Sequence, residues 1–398
     1  MGVVQTEYFD LPEPLALECG RTLSSVRIAY ETYGTLTPEK DNVILVCHAL
    51  SGDAHAAGWS AAPVEESAVD GFGADEREIA KKSGLGWWDG MIGPGKAFDT
   101  DRYFVVATNL IGGCRGSTGP SSLNPATGKP YGLDFPTVTV TDMVRAERAL
   151  LRELGIESLL TVSGGSLGGM QSLEWAALFP DSVASNIPIA STAALDPQGV
   201  AWNAIARNAI MADPDWQGGH YYGTGRSPKA GMAVARMVGH VTYLSGYSMA
   251  EKFGRKLQGR DTLSYTVTEP DFEVESYLRY QGEKFVRRFD ANTYLYFSRA
   301  LSYFDLARQY GEGSLERAVE GFRAATLLIC FSSDWLYPPA NSRALAEALE
   351  ANGKEVELHI IEAPYGHDSF LLEEKRQTPM IRDFLSQVYR ERRKSRRF

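Results

Sequence analysis

The chain has 398 residues, of which 44% are hydrophobic and 23% are charged, and its formal net charge is −10. This composition is typical of a protein with a sizeable buried core, and the negative charge argues against a nucleic-acid partner. The sequence has no apolar run long enough to span a membrane, its first residues do not resemble a signal sequence, and its four cysteines are far apart. We therefore expect a cytoplasmic protein with no metal site.

Short apolar runs alternate with segments of helical periodicity along most of the chain. The predicted strands are Val26–Tyr33, Asn42–Cys47, Tyr103–Asn109, Leu159–Val162, Val183–Ala190, Ala325–Phe331 and Val356–Ile361. The predicted helices are Thr141–Leu154, the segment after Ser166, Ser342–Glu350 and about Thr378–Arg392. This alternation indicates an α/β fold, in which a mostly parallel sheet has helices on both faces.

Residues 192–303 interrupt this alternation of strands and helices, because they contain few strand-like runs and many Met, Tyr and Trp side chains. We predict a mainly helical cap over the carboxyl edge of the sheet, inserted into a core domain of residues 1–191 and 304–398. Most of the aromatic side chains are expected to form the cap's own core. A cap with additional apolar surface would also support a homodimer.

The stretch Gly164–Gly168 reads G-G-S-L-G and lies between an apolar run and a helical segment. A strand that turns abruptly into a helix holds its central residue in a strained conformation, and flanking glycines let neighbouring backbone pass. The Ser166 hydroxyl would then stand at the carboxyl end of the sheet, near a helix N-terminus. A phosphate-binding turn has a similar composition. The strand before it and the helix after it favour a nucleophilic serine.

A serine nucleophile needs a base and an acid that orients the base. His367 follows the last predicted strand and reaches the same sheet edge as Ser166, whereas His359 lies within that strand, where we expect a buried structural role. Asp334 follows the penultimate strand and is the expected acid, although aspartate also commonly begins a turn. The chain order Ser166, Asp334, His367 is the one found with nucleophile elbows.

Acyl transfer also needs two backbone N–H groups that stabilise the oxyanion. We expect one from Leu167, directly after the nucleophile. The other is expected from Leu50, in the loop His48–Gly52 that follows the predicted strand Asn42–Cys47. The alternative for this loop is an ordinary turn.

Taken together, these residues resemble the homoserine O-acetyltransferase family of the α/β-hydrolase fold. The matching stretches are CHALSGDAH (Cys47–His55), GWWDGMIGPGKAFDTDRYFVVATN (Gly86–Asn109), GGCRGSTGPSS (Gly112–Ser122), SGGSLGGMQ (Ser163–Gln171), NAIARNAI (Asn203–Ile210), FSSDWLYPP (Phe331–Pro339) and YGHDSF (Tyr365–Phe370). The segment GWWDGMIGPGKAFDT is far more specific than any serine-hydrolase motif.

The resemblance implies a transfer in two steps. Ser166 would take the acetyl group from acetyl-CoA, and homoserine, deprotonated by His367, would then accept it in an early step of methionine biosynthesis. Arg207 matches the family's ligand for the amino-acid carboxylate, and Asp368 matches the acceptor for the α-ammonium. From the residues alone, a surface arginine on a cap helix and a loop-capping aspartate are equally good interpretations.

Several alternatives remain at the level of the sequence. Succinyl-CoA as donor, or serine as acceptor, would use the same motifs, and the residues around Gly112–Ser117 that we expect to tune the acyl pocket do not decide between them. An esterase would transfer the acyl group to water, and a non-catalytic binding protein would not need the triad. We expect acetyl-CoA as co-substrate and no tightly bound cofactor, and we find no phosphate-binding loop for CoA.

Overall fold

A computed structural model describes residues 1–61 and 84–395 of the chain. Its centre is an eight-stranded sheet, whose strands are β1 (Glu7–Asp10), β2 (Arg27–Tyr33), β3 (Val43–Cys47), β4 (Phe104–Thr108), β5 (Leu159–Gly165), β6 (Val183–Ile189), β7 (Ala325–Phe331) and β8 (Val356–Ile361). Their spatial order is β1-β2-β4-β3-β5-β6-β7-β8. Strand β2 is antiparallel to both of its neighbours, and all other pairs are parallel. Two short strand pairs, Val3–Val4 with Trp59–Ser60 and Leu15–Ala16 with Thr22–Leu23, lie outside the sheet.

The described helices flank the sheet and cover one of its edges. They are α1 (Val140–Glu153), α2 (Leu167–Leu178), α3 (Pro197–Ala212), α4 (Lys229–Tyr243), α5 (Gly246–Lys252), α6 (Glu273–Val286), α7 (Ala291–Tyr303), α8 (Leu306–Tyr310), α9 (Leu315–Ala318), α10 (Pro339–Ala351), α11 (Ser369–Leu372) and α12 (Glu374–Ser395). Short 3-10 helices occupy Gly132–Asp134, Pro180–Ser182, Pro214–Gly219 and Gly366–Asp368. None of the described helices is long and apolar enough to cross a membrane.

The central strands are apolar throughout because helices bury both of their faces. Every residue of β3, β5 and β7 is buried, as expected for strands inside a doubly covered sheet. The mostly parallel sheet of the predicted α/β fold is therefore confirmed.

The outermost strand β8 differs from this pattern. It has one paired side only, and its His359 side chain is 37% exposed, with Nε2 3.5 Å from Glu357. The expectation that His359 is buried was wrong, because an apolar run does not distinguish an edge strand from a central one.

Local sequence signals set where several helices begin. Thr139 and Asp142 form a capping box at the start of α1, in which each side chain accepts a hydrogen bond from the other residue's backbone N–H. Asp196 caps α3, which begins at Pro197, and Asp290 caps α7. The caps on α3 and α7 fix where two of the helices around Ser166 begin.

Between β6 and α8 the described chain contains the five helices α3–α7 and no strand of the sheet. Helix α4 packs between α3 and α6, while α3 also packs on α7. The domain division at residues 192 and 303 remains a prediction. The helices of this segment supply much of the wall of the site described next.

Candidate active site

Ser166 is the residue that joins β5 to α2, and its backbone has φ 58° and ψ −118°. A positive φ is uncommon outside glycine, so the surrounding structure must hold this conformation. The Ser166 N–H donates to the Ile189 carbonyl at 3.0 Å, and the Ser191 hydroxyl donates to the Ser166 carbonyl at 2.9 Å. The chain thus makes the sharp strand–helix turn that the G-x-S-x-G sequence predicts.

Two glycines beside the serine make this turn sterically possible. A Cβ atom on Gly164 would lie 2.4 Å from the carbonyl oxygen of Cys47, and one on Gly168 would lie 2.1 Å from the same oxygen. Both distances are far shorter than a non-bonded contact between carbon and oxygen can be. Strand β3 can therefore run beside the turn only because these two positions lack side chains.

Asp334 and His367 meet at the carboxyl edge of the sheet. Asp334 follows β7, His367 lies in the 3-10 helix after β8, and both side chains are buried. Asp334 Oδ2 lies 2.8 Å from His367 Nδ1, while Oδ1 accepts hydrogen bonds from the backbone N–H groups of Leu336 and Tyr337 at 3.0 and 2.9 Å. With Nδ1 donating to the carboxylate, Nε2 is the nitrogen that is left to accept a proton.

Tyr337 connects the serine with the imidazole. Its ring meets the His367 ring edge-on, with centroids 5.0 Å apart at an angle of 86°. Its phenol interacts with the Ser166 hydroxyl, and burial raises the pKa of this phenol. Within the part of the chain that the structure describes, no hydrogen bond joins Ser166 Oγ to His367. Such catalytic hydrogen bonds commonly tighten only when substrate is bound.

Ser166 lies in a narrow cavity of about 40 Å³ between the sheet edge and the helices of residues 192–303. Its wall is mainly apolar and aromatic. The lining residues include Leu50, Leu195, Trp202, Asn203, Val238, Tyr243, Tyr294, Leu301 and Tyr337. Because helices α3, α4 and α7 contribute to this wall, the serine is covered rather than open to bulk water.

The two residues predicted to form an oxyanion hole lie on either side of Ser166. Leu167 is the first residue of α2, so its N–H has no acceptor within the helix. Leu50 lines the same cavity as Ser166. Its loop is held by buried contacts, since Gln171 Nε2 donates to the His48 carbonyl at 3.2 Å and the Leu110 N–H lies 3.3 Å from His48 Nε2.

Arg207 is a buried residue of α3, not a surface arginine. Its Nη1 donates to the Ser298 carbonyl at 3.1 Å and lies 3.3 Å from the Ser302 hydroxyl. Burial, followed by the nearby charge of Arg299, lowers the pKa of Arg207. Arg207 lies one helical turn beyond Asn203, which lines the serine cavity, but it is not itself among the lining residues.

Asp368 directly follows His367 and is half-buried. Burial raises the pKa of its carboxyl group, and the charges of His367 and Arg236 oppose that effect. The negative charge of Asp368 adds to the effect of burial in raising the pKa of Tyr243 and Tyr277. The carboxylate thus faces the boundary between the sheet edge and the helices α4 and α6.

The aromatic residues that shape the site were not among the predicted site residues. Trp202 and Tyr243 line the serine cavity rather than the core of the insertion, and Tyr337 contacts both Ser166 and His367. For Tyr337 a usable signal was present, because it lies only three residues after Asp334. For Trp202 and Tyr243 the sequence offers no such signal, since cap aromatics in the core and at the site look alike.

The fold and the serine turn place this chain in the α/β-hydrolase class, and a family model described as alpha/beta hydrolase fold matches residues 42–374. A relative from Methanosalsum zhilinae named homoserine O-acetyltransferase is 51% identical over 388 residues, which are 98% of this chain and 74% of the relative. The chain belongs to the homoserine O-acetyltransferase family.

Solved structures show the same likeness. A crystal structure of homoserine O-acetyltransferase from Bacillus anthracis matches with a TM-score of 0.85 and 31% identity, covering 97% of this chain and 98% of that one. The crystal structure of an esterase, E22, matches with a TM-score of 0.83 and 31% identity, covering 96% of this chain and all of that one. The fold is therefore shared by proteins named as transferases and as esterases.

Proposed function

We propose that the chain is a homoserine O-acetyltransferase that works through an acyl-serine intermediate. The observation that carries this proposal is the placement of Ser166 in a strained turn, in a covered cavity whose wall includes Tyr337, and Tyr337 contacts the His367 ring of the buried His367–Asp334 pair. Full-length likeness to relatives of that name supports the choice of substrates.

In the first step, His367 Nε2 takes the Ser166 proton as Oγ attacks the thioester carbonyl of acetyl-CoA. The carbon–sulfur bond breaks, and the CoA thiol leaves with that proton. Asp334 holds the imidazole in the required tautomer and stabilises its charged form. The backbone N–H groups of Leu50 and Leu167 stabilise the oxyanion that forms on the carbonyl oxygen.

In the second step, the homoserine hydroxyl gives its proton to His367 and attacks the acetyl ester. The ester bond to Ser166 Oγ breaks, Oγ regains a proton, and O-acetyl-homoserine leaves. In this proposal Arg207 binds the substrate carboxylate, for which a planar guanidinium is well suited. Asp368 accepts hydrogen bonds from the α-ammonium.

Exclusion of water favours transfer over hydrolysis in this proposal. A cavity of about 40 Å³ holds little more than a single water molecule, so few water molecules can lie beside Ser166. Residues 192–303 act as the lid domain that creates this enclosure. An esterase remains the second candidate, because esterase E22 shares the fold over nearly the whole chain.

We further propose a homodimer that forms through the lid, and a cytoplasmic location. Several large apolar side chains of residues 192–303 are exposed, including Ile205, Met211, Val234, Tyr247 and Val267. The four cysteines are all unpaired, which is usual in a reducing compartment. Light scattering of the purified chain tests the dimer, and a monomer at micromolar concentration would contradict it.

The deciding experiment is the intact mass of the protein after mixing with acetyl-CoA alone, and again after adding homoserine or serine. We expect a gain of one acetyl group that is absent in Ser166→Ala and is discharged by homoserine. Discharge by water at the same rate would identify an esterase. A gain with succinyl-CoA only, or discharge by serine only, would keep the mechanism and replace the corresponding substrate.

A further inference from the structure

Three arginines, Arg115, Arg236 and Arg288, lie close together outside the serine cavity. The guanidinium groups of Arg236 and Arg288 both contact the Phe285 ring, at 4.5 and 5.2 Å from its centroid. Arg115 Nη2 donates to the Arg288 backbone carbonyl at 2.7 Å. The three side chains thus form one cluster of positive charge, which we call the arginine cluster.

Among residues 1–61 and 84–395, no carboxylate oxygen lies within 4.0 Å of a guanidinium nitrogen of the arginine cluster. Asp53 lies near Arg288 and Asp368 lies near Arg236, both beyond that distance. In a chain with a net charge of −10, such a grouping of like charges is unusual and costs stability. Neighbouring guanidinium groups without a carboxylate partner are typical of a site for an anion.

The cluster lies next to residues that line the serine cavity. Arg236 contacts the ring of Tyr243 at 5.5 Å from its centroid, and Tyr243 lines the cavity around Ser166. Arg288 Nη1 donates to the backbone carbonyl of Ser51 at 3.3 Å. Ser51 directly follows Leu50, which is part of the same cavity wall.

On its other side the cluster opens to the surface. Arg115 and Arg288 line an open cavity of about 450 Å³, and Arg115 is exposed there. This cavity also contains Trp87, whose ring is half-buried and stacks on Trp88, and the exposed ring of Tyr8. The surface cavity therefore combines cationic groups with aromatic faces.

The electrostatics of Arg288 agree with an anion site. Desolvation by the surrounding walls and the charges of Arg236 and Arg115 lower the pKa of Arg288 to about 10. The guanidinium still carries its charge at neutral pH, but in an environment that favours a bound anion. A phosphate group would neutralise the repulsion between the three side chains.

We propose that the arginine cluster binds the phosphate groups of the CoA moiety, so that the acyl arm passes from the surface cavity to Ser166. The inference rests on the proposed function, which supplies a donor with phosphates at one end and a thioester at the other. Trp87 and Tyr8 offer faces on which the nucleotide base can stack. The site thus consists of side chains from five separate segments, which is why no phosphate-binding loop is visible in the sequence.

The test compares acetyl-CoA with S-acetylpantetheine, which has the thioester and the pantetheine arm but no phosphate. In Arg288→Gln and Arg115→Gln, we expect the KM for acetyl-CoA to rise about tenfold, as for the loss of one charge-assisted hydrogen bond. The penalty should disappear with S-acetylpantetheine. Arg145→Gln is the matched control, because Arg145 lines a different cavity with Arg148 and Phe179 and should leave the KM for acetyl-CoA unchanged.

Calorimetric titration with CoA and with pantetheine separates this inference from the proposed function. We expect Arg288→Gln to weaken CoA about tenfold and pantetheine by less than twofold, whether or not the protein transfers acetyl groups. If the wild type binds CoA but transfers nothing, the inference stands and the proposed function fails. Equal losses for CoA and pantetheine, an unchanged affinity for CoA, or a wild type that binds no CoA would overturn the inference.

Discussion

His367 Nδ1 and Asp334 Oδ2 lie 2.8 Å apart in a buried contact between two loops, although 33 residues separate them in the chain. The contact exists because β7 and β8 are parallel neighbours, so the loops after both strands leave the sheet at the same edge. The second carboxylate oxygen is fixed by two backbone N–H groups. The carboxylate is therefore held in place from both sides.

Asp334→Asn tests this contact. The asparagine can keep the acceptor for the backbone N–H groups of Leu336 and Tyr337, but its amide would favour the wrong tautomer of His367. We expect kcat to fall about 10⁴-fold. A melting temperature close to that of the wild type would show that the fold is intact, and a near-normal kcat would contradict the role of Asp334.

Arg207→Ala and Arg207→Lys test the carboxylate site. We expect the KM for homoserine to rise tenfold or more in both variants, because a lysine cannot form the two parallel hydrogen bonds of a guanidinium. Formation of the acyl-enzyme from acetyl-CoA, followed by release of the CoA thiol, should still occur. An unchanged KM for homoserine would remove Arg207 from the binding site.

If Asp368 binds the α-ammonium group, the binding of homoserine should depend on pH. Burial raises the pKa of its carboxyl group, so on acidification it becomes neutral at a higher pH than an ordinary aspartate. The KM for homoserine should therefore rise as the pH falls through that raised pKa, because the attraction for the α-ammonium is lost. Asp368→Asn should have a high KM that no longer varies with pH in this range; a wild-type profile would exclude the assignment.

The space beside Gly168, two residues after the nucleophile, is too small for a side chain. A Cβ atom at this position would lie 2.1 Å from the Cys47 carbonyl oxygen, so Gly168→Ala must displace either β3 or the start of α2. We expect the free energy of unfolding to fall by about 3 kcal/mol, at the upper end for overpacking. Gly321→Ala is the control, because a Cβ atom added there would have nothing within 4 Å, and urea unfolding measures both variants.

The buried carboxyl group of Glu147 should make the stability of the protein depend on pH. This carboxyl group is buried and accepts hydrogen bonds from Trp175 Nε1 at 2.8 Å and the Thr108 hydroxyl at 2.9 Å, and burial raises its pKa to about 7. Between pH of about 4.5 and about 7 the folded chain keeps a proton that the unfolded chain releases, so stability falls as the pH rises through this window.

The size of this effect is roughly 3 kcal/mol, from the difference between the two pKa values. Glu147→Gln cannot ionise and should remove the corresponding part of the decline in stability between pH 5 and pH 8, as measured by urea unfolding at both values. An identical pH dependence in the variant and the wild type would show that Glu147 does not titrate in this range.

The alternation of strands and helices, the serine turn and the chain order of the three triad candidates could all be predicted from the amino-acid sequence. These features are local or follow from rules of topology: an apolar run between helical segments becomes a buried strand, and only a glycine pair tolerates the close approach beside Ser166. The family motifs could be recognised in the sequence for the same reason, since each is a short continuous stretch. Arg207 and Asp368 were found only through those motifs.

Features that depend on contacts between distant segments became visible in the three-dimensional structure alone. It placed Tyr337 between Ser166 and His367, put His359 on an exposed edge strand, and buried Arg207 against α7. It also brought Arg115, Arg236 and Arg288 together from three separate segments. The physical reason is that exposure and proximity depend on which elements pack against each other, and the periodicity of one segment carries no information about its neighbours.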